Sequence, residues 1–239
     1  MACEVELMEF NKQSAGNPAT GYWLNFAPPS GAHLHELCGP NAIPEADCPN
    51  CKRLLLKLAV FSAADPAVAL DPARVPSLPL LYCWTCAIPY GEFRYSIQPD
   101  GSVQILTFLN KYEDAFGTDG PYDGYTGQFP STSFCLEPQS EEEQRSLRAR
   151  SEGAEEELSS GLDFPRHQVG GDPMIYNPQS EICPRCGKDM PTFAAIADNT
   201  RGNGDAKSAS ESFVDNSGVQ TVFHLCRSCS VVSVYHSCD

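Results

Sequence analysis

The chain has 239 residues, 41% of them hydrophobic, with twelve cysteines and a formal net charge of −15 at pH 7. That length and apolar content support a buried core and exclude wholesale disorder. The charge excludes a nucleic-acid backbone as the expected direct partner, because no basic patch offsets it: the richest arginine run, RSLRAR (145–150), lies between two Glu-Glu-Glu runs.

The first residues, MACEVELMEF, carry no basic n-region and no long apolar h-region, so no signal peptide is expected. No apolar run approaches the length needed to cross a bilayer. The expected setting is therefore cytoplasmic, with no membrane partner. In such a reducing compartment, twelve cysteines argue against a disulfide framework.

In chain order, YWLNFA (22–27) reads as a strand, followed by HELCGPN with His35 and then by the pair Cys48/Cys51 in DCPNC. LLLKLAVF (54–61) and PLLYC (79–83) read as strands from their apolar, strand-length runs, separated by a proline-punctuated loop (65–79). The second pair, Cys83/Cys86, follows directly in LYCWTC. EFRYSIQ (92–98) and SVQILTFL (102–109) form an expected hairpin, because Pro-Asp-Gly supplies turn chemistry between two apolar, β-branched runs. The segment 138–160 is the one convincing helix: Ser140 can cap it with Glu143 three residues on, and Glu141 stands at i,i+4 to Arg145. Its thin apolar content predicts a solvated linker helix or disorder. Beyond HQVGGDP with His167, the chain repeats the earlier order: Cys183/Cys186 in ICPRC, a strand TFAAIAD (192–198), a flexible excursion (199–212), VQTVFHLC (219–226), Cys226/Cys229 and SVVSVYHS (230–237).

Four CxxC pairs carry the chemistry. Two thiolates three residues apart on a tight turn can both reach one ion at about 2.3 Å, and a second pair completes a tetrahedron. Pro49, Pro184 and Gly187 suit such turns. The favoured reading is structural zinc, about two ions per chain, held by Cys48, Cys51, Cys83 and Cys86 and by Cys183, Cys186, Cys226 and Cys229. Thioredoxin-like redox pairs and buried free thiols are the alternatives, but strand-like runs follow the pairs where a redox motif opens a helix. A zinc deaminase needs His-x-Glu and Pro-Cys-x-x-Cys with an open position, which HLHEL, DCPNC and ICPRC do not supply. HELCG breaks the HExxH motif. Cys3, Cys38, Cys135 and Cys238 stand outside this scheme.

The shared order implies a duplication. First to third cysteine is 35 residues in one half and 43 in the other, and the repeat offset runs from 135 to 143. The expected fold is mainly β (β-rich α+β) in two pseudo-symmetric halves, 1–135 and 163–239, each with one four-cysteine site, joined by an acidic linker, 136–162.

With these motifs in hand, HQVGGDPMIYN, ICPRCGKDMPTFAAIAD and VFHLCRSC (165–239) resemble the shared domain of the YwqG-like proteins and of programmed cell death protein 2 and its ribosome-assembly relatives. Gly170, Gly171 and Pro173 match that family's GG-x-P turn, and Cys183, Cys186, Cys226 and Cys229 match its cysteines. The first half agrees in order only, with CGPN at the place of the turn. The resemblance implies a mainly β fold without catalytic apparatus that grips one basic protein. That partner is a toxin neutralised by an immunity protein or, alternatively, a ribosomal protein held by a carrier. A metal-dependent nucleic-acid-processing enzyme is the third possibility.

Contact with such a partner is expected from the Tyr-, Gly- and Asp-rich segment 111–131, through Tyr112, Asp114, Phe116, Asp119, Tyr122, Asp123 and Tyr125, because tyrosine offers rigid area at low entropic cost. His35 and His167 hold matching positions and are expected to brace the turn or hydrogen-bond the metal thiolates. His224 is expected to be packed rather than catalytic.

Overall fold

The computed structural model describes residues 20–26, 33–83, 86, 92–109, 131–151, 167–197 and 219–238. Thirteen strands and one helix lie among them. The first half contributes β1 (Gly21–Asn25), β2 (His35–Leu37), β3 (Leu56–Ser62), β4 (Ser77–Tyr82), the hairpin β5 (Glu92–Ile97) and β6 (Val103–Leu109), and β7 (Thr132–Pro138). Helix α1 (Glu141–Ser151) follows, then β8 (Gln168–Gly170), β9 (Glu181–Ile182), β10 (Asp189–Met190), β11 (Thr192–Ala197), β12 (Val219–Cys226) and β13 (Val231–Cys238).

Eleven strands form one antiparallel sheet in the order β4-β3-β2-β7-β1-β8-β11-β12-β13-β5-β6, and β9 and β10 make a small separate ladder. The halves therefore interleave. First-half strand β1 pairs with second-half β8, and the β5–β6 hairpin of the first half lies beyond β13. The sheet is curled, which brings its two ends together. On β5, the Tyr95 hydroxyl donates to Pro79 O (2.9 Å) and accepts from the Leu81 amide (3.0 Å) on β4. A side chain thus satisfies backbone groups of an edge strand, and Pro79 sits where proline is tolerated, at an edge.

A few local features recur in both halves. Glu36 and Leu37 stand opposite Val60 and Ala59, as Gln168 and Val169 stand opposite Ala195 and Ala194. The register shifts between Lys57 and Ala59 in one half and between Thr192 and Ala194 in the other. Both turns after these first strands use two consecutive left-handed residues, Cys38 (φ 58°) with Gly39 (φ 85°), and Gly170 (φ 63°) with Gly171 (φ 61°). His35 Nδ1 accepts the Ser62 amide at 3.1 Å, and His167 Nδ1 accepts the Ala197 amide at 3.1 Å. The histidines therefore brace the last residue of β3 and of β11, rather than the turn or the thiolates.

After its turn, the second half lays residues 174–179 across the sheet. Gln168 Oε1 accepts from the Met174 amide, and Gln220 bonds both Met174 O and the Tyr176 amide. The Asn177 and Gln179 amides donate to Ser237 Oγ and to the Tyr235 hydroxyl, which itself donates to Asn177 O. Buried side chains thus replace a missing neighbour strand, which keeps this extended segment's backbone satisfied.

The main core draws on both halves. Phe61 of β3 meets Phe193 of β11 edge to face at 5.2 Å and Phe134 of β7 at 5.4 Å, and His35 lies 5.2 Å from both Phe61 and Phe134. Helix α1 has the expected cap: the Glu143 amide donates to Ser140 Oγ (3.2 Å) and the Ser140 amide to Glu143 Oε2 (2.7 Å). The helix is largely open to solvent but anchored on one side. Leu147 is buried, and Trp23 Nε1 donates to Glu143 at 3.0 Å, so α1 docks on β1. Residues 152–160 of the expected helix lie outside the described residues.

Candidate metal centres

Each half brings its two cysteine pairs together. The sulfurs of Cys48, Cys51, Cys83 and Cys86 lie within 4.8 Å of one another, and so do those of Cys183, Cys186, Cys226 and Cys229. Pairing is therefore within halves, as the spacing implied. All eight are free thiols. Cys48–Cys86 are 3.7 Å apart, Cys51–Cys83 3.6 Å and Cys186–Cys226 3.7 Å. An ion bound tetrahedrally at about 2.3 Å holds its sulfurs about 3.8 Å apart, so both clusters have the size of a four-thiolate metal site.

Local sequence builds the first turn of each site in the same way. Cys48 N donates to Arg53 O (2.8 Å) and Lys52 N to Cys48 O (2.9 Å). Cys183 N donates to Lys188 O (2.8 Å) and Gly187 N to Cys183 O (2.9 Å). In each turn the residue after the second cysteine is left-handed, Lys52 at φ 60° and Gly187 at φ 68°. Glycine takes that conformation freely; lysine does so at a cost.

The crowding of sulfur atoms suits a cation. Contacts with Cys48 and Cys86, and then burial, drive the Cys83 thiol far up in pKa, while Cys48 and Cys83 pull Cys86 down to about 2. Neighbouring thiolates cannot all ionise side by side unless a positive ion neutralises them. Burial likewise pushes Cys183 up to about 12. The two groups can therefore hold metal ions, each with four protein ligands.

Outer groups orient these ligands. Asn50 Nδ2 donates to Cys86 Sγ at 3.3 Å. Ser228 Oγ lies 3.3 Å from Cys226 Sγ and 3.9 Å from Cys229 Sγ. Arg185 donates to Cys229 O (3.4 Å) and to Ser96 Oγ (2.9 Å), and Arg74 reaches from the first half to Ser228 O (3.2 Å). Arg94 makes two contacts to one oxygen of Glu181, the closer at 2.8 Å. Sequence reasoning did not find these residues. Asn50 lies inside a CxxC turn and was open to inference; Arg74 is 154 residues from its partner and leaves no local signal.

Other candidate groups are accounted for. Cys38 lies in the turn after β2, and burial pushes its thiol up to about 12, so it stays protonated and apart from both clusters. His224 is buried, with Nδ1 3.0 Å from Met190 O and its ring stacked on Tyr235. His35 Nε2 lies 3.0 Å from Asp65 Oδ2. Because Nδ1 accepts from the Ser62 amide, Nε2 carries the proton and donates to Asp65, so both ring nitrogens are engaged and neither is available as a base. An open pocket of about 440 Å³ lies nearby, lined by His35, Glu36, Val60, Ser77, Ser131 and Ser133 among others. In it Glu36 accepts from Lys57 Nζ (2.8 Å) and Ser131 Oγ (2.6 Å). The expected contact residues Tyr112, Asp114, Phe116, Asp119, Tyr122, Asp123 and Tyr125 lie outside the described residues.

Among the described residues, no helix is long and apolar enough to cross a membrane. No protein-family model, curated protein or solved structure matches the chain.

Proposed function

We propose that the chain is a non-enzymatic protein-binding module stabilised by two structural zinc ions, and that it binds and neutralises a basic bacterial toxin as its immunity partner. The observation that carries the reading is the ligand set. Each cluster offers four cysteine sulfurs to one ion, which fills a tetrahedral shell and leaves no position for a substrate or an activated water. Soft thiolate ligands in that number favour zinc among the common divalent ions. The net charge of −15 supports a basic partner, since complementary charge steers association. The equal registers around His35 and His167 support a duplicated scaffold.

The test is affinity capture from the native cell, followed by association kinetics at several salt concentrations. The expected result is one toxin in a 1:1 complex whose on-rate falls as salt rises. Capture of a single ribosomal protein instead would replace this reading with that of a carrier. A cobalt-substituted protein whose spectrum reports exchangeable solvent on the metal would overturn the structural role and restore metal-dependent catalysis as the better account.

A further inference from the structure

The two clusters hold the same ligands in different surroundings. In the first, Cys48 and Cys86 are 0% exposed and Cys83 4%, and all three belong to the main core with Leu55, Leu56 and Tyr82. Its fourth member, Cys51, is partly exposed; in the second cluster Cys229 is partly exposed and Cys186 is the one exposed cysteine of the eight. Its buried members, Cys183 and Cys226, form a separate small cluster with Met190 and Val231. Both first turns lead within a few residues into the eleven-stranded sheet, at β3 and at β11, so the difference between the clusters lies in burial rather than in topology. Reactivity of a cysteine toward oxidants follows thiolate character and access. Metal ligation makes every sulfur in both clusters a thiolate, so access separates them.

We propose that the second cluster is a redox-sensitive metal site that releases its ion on oxidation by peroxide, while the first cluster keeps its own. The proposal rests on the metal reading above and adds a regulation to it. The exposed Cys186 thiolate attacks hydrogen peroxide: an S–O bond forms, the O–O bond breaks, and the leaving hydroxide takes a proton to become water. Cys226, whose sulfur is 3.7 Å away, then attacks the sulfenic sulfur. An S–S bond forms, the S–O bond breaks, and the second oxygen leaves as water after protonation. The thiolates lose two electrons and the peroxide gains two. Two of the four ligands are then gone, and the ion passes to solvent. A thiol reductant and free zinc restore the site.

The experiment treats the full-length zinc-loaded protein with hydrogen peroxide in the presence of a chromophoric zinc chelator, then maps cysteines by mass spectrometry. One zinc equivalent is expected to leave at least about tenfold faster than the other, together with a Cys186–Cys226 disulfide. The far-UV circular dichroism of the main sheet is expected to persist. Without peroxide, neither ion should pass to the chelator on the timescale of the fast phase. Release of both ions at one rate, or a disulfide formed first among Cys48, Cys51, Cys83 and Cys86, would overturn the proposal while leaving the metal reading intact. Fewer than two metal equivalents in the untreated protein would instead overturn the metal reading itself.

Discussion

The cysteine turns at Cys48 and Cys183 are built alike, with the same two backbone hydrogen bonds and a left-handed residue at the same position, yet one joins the main core and the other a small core of its own. Three of the first cluster's sulfurs lie among main-core residues, with Cys51 partly exposed; the second has its own small core and is tied in by arginines that reach Ser96, Ser228 and Cys229. Identical ligand chemistry therefore does not mean identical energetic weight. A metal inside the core is coupled to the folding of the whole sheet, and one outside it chiefly to the order of its own turn.

The sharpest way to break that comparison is to remove one ligand from each cluster. Cys86→Ser should forfeit metal binding worth on the order of 10 kcal/mol in the core and leave a chain without a cooperative thermal transition. Cys186→Ser should retain the main transition and one metal equivalent. Circular dichroism melts and elemental analysis of the two variants decide it, and equal damage from both would dissolve the distinction. Next in size, Phe61→Ala opens the aromatic contact with Phe134 and Phe193 and should cost about 3–5 kcal/mol by denaturant unfolding, with both metals still bound in the folded state.

Acid titration sharpens the contrast from another side. His236, buried on β13 with Nδ1 2.6 Å from the Tyr82 hydroxyl, is pushed by burial down to about 4 from 6.5. The unfolded chain takes up a proton there that the folded one refuses. Its contribution is complete above pH 6.5 and is lost as pH falls toward 4, by up to about 3 kcal/mol. Urea unfolding across that window should show the slope, and His236→Gln should flatten it. The smallest effects test the turns themselves. Lys52→Gly should stabilise by about 1 kcal/mol and Gly187→Ala should destabilise by about the same, because both positions are left-handed. Melting temperatures moving in the same direction would deny the shared geometry.

Much of this was legible in the residues. All eight expected strands are present within a few residues, because their apolar runs are bounded by Pro, Gly and Cys turns, and Asp100 shapes the β5–β6 turn by accepting both the Ser102 amide and hydroxyl. The four pairs assembled as their spacing implied. The short strands β2 and β8 were not read, since three residues carry no period. Nor was β7, whose TSFCLEP mixes polar and apolar positions because it is only half buried between β1 and β2. The interleaving of the halves has no local signature at all. It follows from curl and edge satisfaction, as in the bond of Tyr95 to β4, which only the assembled sheet reveals.

That interleaving bears on synthesis. Strand β13 is the last of the eleven to be translated, yet it lies between β12 and β5 and joins the first-half hairpin to the rest. Until it emerges, β5 lacks its inner ladder partner, and the long-range pairing of Ser96 with Val231 cannot close. Chains stalled or truncated before Val231 are therefore nascent products with open edges, suited to recognition by chaperones and proteases rather than to partial activity.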